Sequence, residues 1–75
     1  MLEVVVSTAE KILFEGKAES IILPGEQGVL EILSFHKPLL SRLIGGRIVV
    51  DKESFLIRRG VLSFNRNRAT IIVEE

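Results

Sequence analysis

The sequence contains no cysteine, no tryptophan and no tyrosine, and it has a single histidine, His36. Without thiols, disulfides and thiolate metal sites are excluded. One imidazole is a poor metal site without further ligands, and His36 has no evident serine and aspartate partners for nucleophilic chemistry. No catalytic residue, metal ligand or cofactor-binding residue is therefore expected. No apolar run approaches the ~20 residues of a membrane-spanning helix, and Met1-Leu2-Glu3 does not open a signal peptide, so the chain reads as soluble and intracellular. The formal net charge is zero, which argues against a nucleic-acid protein held by bulk charge. Seventy-five residues make one small domain, residues 1–75, too short for a doubly wound sheet or a TIM barrel.

What is abundant is aliphatic. Ile, Leu and Val supply 27 of the 75 residues, and 17 of these are β-branched, which favours strands. The apolar runs are short and regularly punctuated. They are Leu2–Val6; Ile12–Phe14, closed by Gly16; Ile21–Leu23, ending at Pro24-Gly25; Val29–Leu33; Ile48–Val50; Phe55–Ile57; Val61–Phe64; and Ala69–Val73. Strands of this length, divided by Gly, Pro, Asn and Asp, predict an all-β sandwich or barrel. Asp51-Lys52 and Asn65–Arg68 are read as hairpin turns, because Asn and Asp tolerate the left-handed backbone that tight turns need. Ser7–Glu10 fits a helix capping box, but only about one turn follows before Gly16, so a helix is discounted. Between Pro38 and Ile44, Leu39, Leu40, Leu43 and Ile44 fall on one helical stripe, and a single helical turn and a bent extended segment are both open.

Alternation leaves a surplus. With Leu2, Val4 and Val6 inward, Val5 is outside; with Ile12 and Phe14 inward, Leu13 is outside. Ile48 and Val50 leave Val49, Phe55 and Ile57 leave Leu56, and Ala69, Ile71 and Val73 leave Ile72. A sandwich buries one face of each strand, so the excess points to an exposed apolar patch for a protein partner; single exposed aliphatics are also ordinary. Charge is uneven as well: residues 1–35 carry net −4 and residues 36–75 net +4. Either two faces differ in charge, or the strands interleave and mix it.

Three motifs compete for a function. Gly25-Glu26-Gln27-Gly28 is a tight turn; Glu26 opposes a phosphate-binding role, and the glycines are sufficiently explained by a strand reversal. Arg42, Arg47, Arg58, Arg59, Arg66 and Arg68 could line the groove of an OB-like nucleic-acid-binding barrel, although only phenylalanines are present for base stacking. Asp51-Lys52 at a hairpin tip is similar to the modified lysine of lipoyl carrier domains, but the flanking glycines are not matched, with Ser41 and Arg68 near where they would fall.

One ordered set is more specific. Leu23-Pro24-Gly25-Glu26-Gln27-Gly28 is followed by Ile32-Leu33 and then His36-Lys37-Pro38-Leu39-Leu40. Upstream stand Val5–Gly16 and Ala18–Ile21, downstream Gly60-Val61-Leu62 and Asn65–Val73. This set resembles the epsilon subunit of F-type ATP synthase (delta in mitochondria) over essentially the whole chain. Departures are Val29, Glu31, Ser34 and Arg59, where that family commonly has a polar or acidic residue, Gly, Pro and Gly; all but Arg59 fall in the loop that meets the membrane ring in the family. The opposite charges of Glu31 and Arg59 leave a pairing between them open.

The resemblance implies an all-β fold, a small two-sheet β-sandwich of about eight to ten short strands. It implies a non-catalytic rotor part that links the gamma subunit to the c-ring and couples ion transport to ATP synthesis. It would be peripheral to the membrane, not inserted, on the cytoplasmic face of the inner (plasma) membrane, and would hold no nucleic acid. By family position, His36, Leu40, Ser41 and Arg42 would face gamma, and Gly28, Val29, Leu30 and Glu31 the ring. The family typically continues into an inhibitory C-terminal helical hairpin beyond Glu75, and family members that bind ATP do so largely through that arm. The resemblance therefore implies coupling without the brake, and no bound nucleotide.

Overall fold

A computed structural model describes all residues 1–75. Nine strands make up the chain: β1 (Leu2–Ser7), β2 (Ile12–Ala18), β3 (Ser20–Gly25), β4 (Gly28–Leu33), β5 (Leu39–Leu43), β6 (Gly46–Val50), β7 (Glu53–Ile57), β8 (Arg59–Asn65) and β9 (Arg68–Glu74). They hydrogen-bond in the order β2-β1-β9-β8-β5-β3-β6-β7, with β4 on β3. The pairs are antiparallel except β1 with β9. The link between β5 and β3 is one residue pair, Leu43 with Gly25. There the ladder folds over, giving two layers, β2-β1-β9-β8-β5 and β4-β3-β6-β7. Its two ends meet where Phe14 of β2 stands edge-on to Phe55 of β7, centroids 6.4 Å apart. The expected small sandwich is therefore present, as one curled ladder of nine strands.

The core between the layers is entirely apolar: Leu2, Val4, Val6, Ile21, Leu23, Ile48, Val50, Leu62, Phe64, Ala69, Ile71 and Val73 are among its sixteen buried members. These are alternate residues of β1, β3, β6, β8 and β9, as period-two patterning requires. The alternation fails at Ile12, which is 58% exposed. The β1–β2 register shifts between Val6, which faces Phe14, and Ser7, which faces Ile12. Leu13 is the extra residue of this bulge, and one extra residue reverses the facing of what precedes it. Leu13 and Phe14 consequently both pack on the core.

Two expected strand ends lie inside strands. Gly16 pairs with Val4 within β2, and Pro24 pairs with Val29 within β3. The Pro24 carbonyl turns the other way and accepts from Ile44 N (2.9 Å), so its missing N–H leaves the β4 side intact. Residues 39–43 settle as the extended alternative. A helix of so few residues cannot repay its nucleation, whereas β8 offers a full antiparallel partner from Leu39–Phe64 to Leu43–Gly60. Leu39 and Leu43 then point inward, and Leu40 and Ile44 outward.

The turns follow their residue chemistry. Arg66 (φ 52°) and Asn67 (φ 60°) are the two left-handed residues joining β8 to β9, the geometry that two-residue hairpins prefer. Thr8 Oγ1 accepts from Glu10 N and Lys11 N (both 3.1 Å), so the Ser7–Glu10 segment closes a hairpin and caps no helix. Asp51 (φ 52°) turns its carboxylate away from the hairpin tip and accepts from Glu19 N at 3.0 Å and Ser20 N at 3.1 Å. It thereby ties the β6–β7 turn to the β2–β3 loop.

These bonds give Asp51, not Lys52, the structural work of that turn. Asp51→Ala should lower the unfolding free energy by about 1–2 kcal/mol, the scale of a lost carboxylate cap. Lys52→Ala should stay within about 0.5 kcal/mol. Urea denaturation of both variants decides it, and equal midpoints would contradict the assignment.

Candidate functional site: an apolar strip and the groove beside it

The outward residues of β5, β8 and β9 line up by register. Arg42 faces Val61, and Val61 faces Ile72; one pleat away, Leu40 faces Ser63, and Ser63 faces Thr70. Leu40 (75% exposed), Val61 and Ile72 are all exposed. At ~4.8 Å per strand they make an apolar strip across three strands, roughly 10 Å or more in length. An outward position cannot be satisfied by the core, so the strip has no partner within the chain.

Beside the strip lies a groove between the free edges of the two layers. Its walls are the β3–β4 hairpin, Gly25 to Leu30, and β5 with its neighbour, Leu39 to Arg42 and Val61. Glu26 N donates to the Arg42 carbonyl (3.0 Å) and Ile44 N to the Pro24 carbonyl (2.9 Å), holding the hairpin against β5. Glycine is needed at both ends of the hairpin. A Cβ on Gly25 would sit 2.6 Å from the Gly28 carbonyl oxygen, and Gly28 has φ +134°, a conformation open chiefly to glycine. Val29, 76% exposed, stands on the groove's β4 wall.

The structure brings together most of the residues expected at two separate faces. Gly28, Val29 and Leu30 line the same groove as Leu40, Ser41 and Arg42. Ser41 Oγ donates to the Arg42 carbonyl (3.1 Å), while the Leu40 side chain stays free. Glu31 lies outside the groove, exposed on β4 opposite Ile22, and Arg59 pairs with Glu74 (2.8 Å) instead. His36 sits at the far end of β5, its ring edge-on to Phe64 at 6.0 Å and its Nδ1 donating to the Lys37 carbonyl (2.8 Å).

The arginines do not converge. Arg42, Arg58 and Arg59 lie toward the groove end of the strands and Arg66 in the turn at the opposite end, while Arg68 is engaged by Glu3 (2.6 Å) and Arg47 by Ser54 (3.1 Å). Such scatter does not form the continuous cationic track that a nucleic-acid strand needs. Glu3–Arg68 and Lys11–Glu75 also pair the acidic half of the chain with the basic half, so the strands interleave the charge.

Sequence reasoning passed over Phe35. It is 83% exposed and adopts φ 63°, where a bulky side chain costs roughly 1–2 kcal/mol. Its N–H donates to Asn67 Oδ1 (2.8 Å), and Asn67 Nδ2 donates to the Met1 carbonyl (2.9 Å). No periodic signal marks a loop residue of this kind, and propensity alone would put glycine or asparagine there.

The family model described as the ATP synthase delta/epsilon chain β-sandwich domain matches residues 1–75. The ATP synthase epsilon chain of a Nitratiruptor species is 36% identical over 97% of this chain and 60% of its own length. That of Chlorobium limicola is 34% identical over 91% of this chain and 83% of its own. The chain thus spans about 60% of the length of some of these relatives and most of others. Among solved structures, the central stalk and c-ring of Tetrahymena thermophila mitochondrial ATP synthase contains a similar chain. Its TM-score is 0.78 at 22% identity, over 97% of this chain and 63% of that one. A chain of the Euglena gracilis mitochondrial ATP synthase gives a TM-score of 0.87 at 16% identity, over 96% of this chain and 49% of that one. Both likenesses speak for the fold.

Because Leu40 and Val29 are surface residues with no core contact to lose, Leu40→Asp and Val29→Asp should each leave the unfolding free energy within about 0.5 kcal/mol of wild type. Thermal melts check this. A drop of several degrees in either would mean that the side chain is part of the packing.

Proposed function

We propose a rotor role on one premise: the chain belongs to the ATP synthase delta/epsilon family of β-sandwich domains. The chain is a non-catalytic piece of the central stalk that links the gamma subunit to the c-ring and so couples ion flow to ATP synthesis. The observation that carries this reading is the apolar strip Leu40–Val61–Ile72 with the groove beside it. A coupling part needs stiffness and adhesive faces. Nine hydrogen-bonded strands supply the first, and outward aliphatics supply the second.

Gly28, Val29 and Leu30 line one groove with Leu40, Ser41 and Arg42, so the two proposed contacts adjoin. Leu40, Ser41 and Arg42, with His36 at the far end of β5, face gamma. Gly28, Val29 and Leu30 at the hairpin tip face the ring, with Glu31 at the margin of that contact. The chain sits peripherally at the cytoplasmic face of the inner membrane, held there through its partners. No helix is long and apolar enough to cross a membrane.

The test uses the tagged full chain in gently solubilised membranes of its source, with captured partners identified by mass spectrometry. Wild type should recover gamma together with ring subunits. Leu40→Asp should lower gamma recovery on the order of tenfold, as loss of an interface anchor does. Val29→Asp should chiefly lower ring recovery. Capture of nucleic acid without gamma, with an affinity that falls steeply with salt, would overturn the reading.

A further inference from the structure

Phe35 is at odds with its local setting in two ways. Its backbone is left-handed at φ 63°, which glycine or asparagine would adopt with ease and which phenylalanine resists. Its ring is 83% exposed, so the strain is not repaid by packing within the chain. The turn is nevertheless held firmly: Asn67, itself at φ 60°, bonds Phe35 N through Oδ1 and the Met1 carbonyl through Nδ2. A residue kept strained, exposed and rigidly held is the pattern of a functional position.

The charge around it is one-sided. Lys37, two residues on, and Arg66, adjacent to the clamping Asn67, take part in none of the three ion pairs. Glu3, whose N–H donates to the Asn67 carbonyl, is already engaged by Arg68. The loop therefore presents an aromatic tip with two uncompensated cations and exposed Met1 beside it. Its complement is an apolar pocket with carboxylates on its rim.

We infer that Phe35 is an anchor for the stalk partner, its ring filling such a pocket while Lys37 and Arg66 meet the acidic rim. This rests on the rotor reading and extends the gamma-facing set beyond His36 to the adjacent tip. Pre-organisation by Asn67 lowers the entropy lost when the ring docks, and aromatic anchors in desolvated pockets are typical of interface hot spots.

The inference predicts opposite signs in two measurements on one variant. Phe35→Gly removes strain and anchor together. In the full chain its melting temperature should rise by about 4 °C or more, while its affinity for purified stalk complex lacking this subunit should fall at least tenfold. Phe35→Asn, also at ease at positive φ, should repeat the loss of affinity. Lys37→Glu with Arg66→Glu should weaken binding further at low salt than at high salt. Unchanged affinity in the Gly and Asn variants would overturn the anchor while leaving wild-type capture, and with it the rotor reading, intact. Failure of wild type to bind the stalk at all would overturn both. Vesicles containing phosphatidylglycerol provide the other arm: binding to them that depends on Phe35, with stalk affinity unchanged, would reassign the tip to a membrane surface.

Discussion

The fold turns on one junction, where Gly25 of β3 pairs with Leu43 of β5. Every other neighbouring pair in the path has two or more paired residues; this one has one. A continuous ladder that changes layer must break its pairing somewhere, and the break leaves few hydrogen bonds to hold the corner. Here two bonds outside the ladder reinforce it, from Glu26 N to the Arg42 carbonyl and from Ile44 N to the Pro24 carbonyl. Both need the backbones close. Gly25 lets its own hairpin close tightly beside the corner, because a Cβ there would meet the Gly28 oxygen and the Leu30 side chain. Gly46 allows a close approach on the other side, where a Cβ would press on Pro24 at 3.1 Å. The groove is a consequence of this corner: β4 and β5 are the edges it leaves side by side without pairing them.

The remaining closures are side-chain bonds to backbone across long sequence distances. Asp51 reaches back 32 residues to Glu19 N, and Asn67 spans to Phe35 N and the Met1 carbonyl. No polar side chain enters the core, so layer-to-layer attraction is apolar and nondirectional. Directionality comes from these few surface bonds, each of which fixes one loop relative to another. The core supplies the driving force, and the clamps add fixed points between loops.

The strands were legible because burial on one face writes a period of two into the sequence, as in Val4, Val6, Ala69, Ile71 and Val73. Turns were legible at Asp51 and at Asn65–Arg68 because left-handed residues are few in kind. Ile12 was not legible, since a bulge is decided by how β1 and β2 fit together and leaves no mark on the local pattern. Residues 38–44 were ambiguous for a related reason. Their aliphatics fit a helical stripe and an extended strand alike, and β8, some twenty residues further on, decided between them. The candidate contacts were legible only as a list. That Val29 and Leu40 share one groove depends on the corner at Gly25, a non-local pairing. Ile72 was recognised as surplus, but its alignment with Val61 and Arg42 needed the register.

Stiffness and adhesion make opposite demands on so small a body. Every aliphatic turned outward for a partner is one fewer for the core, at roughly 1.5–3 kcal/mol of burial for each Leu, Ile or Val. Exposed apolar surface on a free sheet edge also invites unwanted strand pairing. The arrangement here limits both costs. The apolar strip lies on the faces of β5, β8 and β9, and β8 and β9 are interior strands of their layer, so most of its backbone is already paired. Where the strip reaches the edge at β5, the Arg42 carbonyl is occupied by Glu26 N. Over β8 and β9 what remains adhesive is side chain, not backbone. Such a surface favours a partner of complementary shape over a second strand of any sequence.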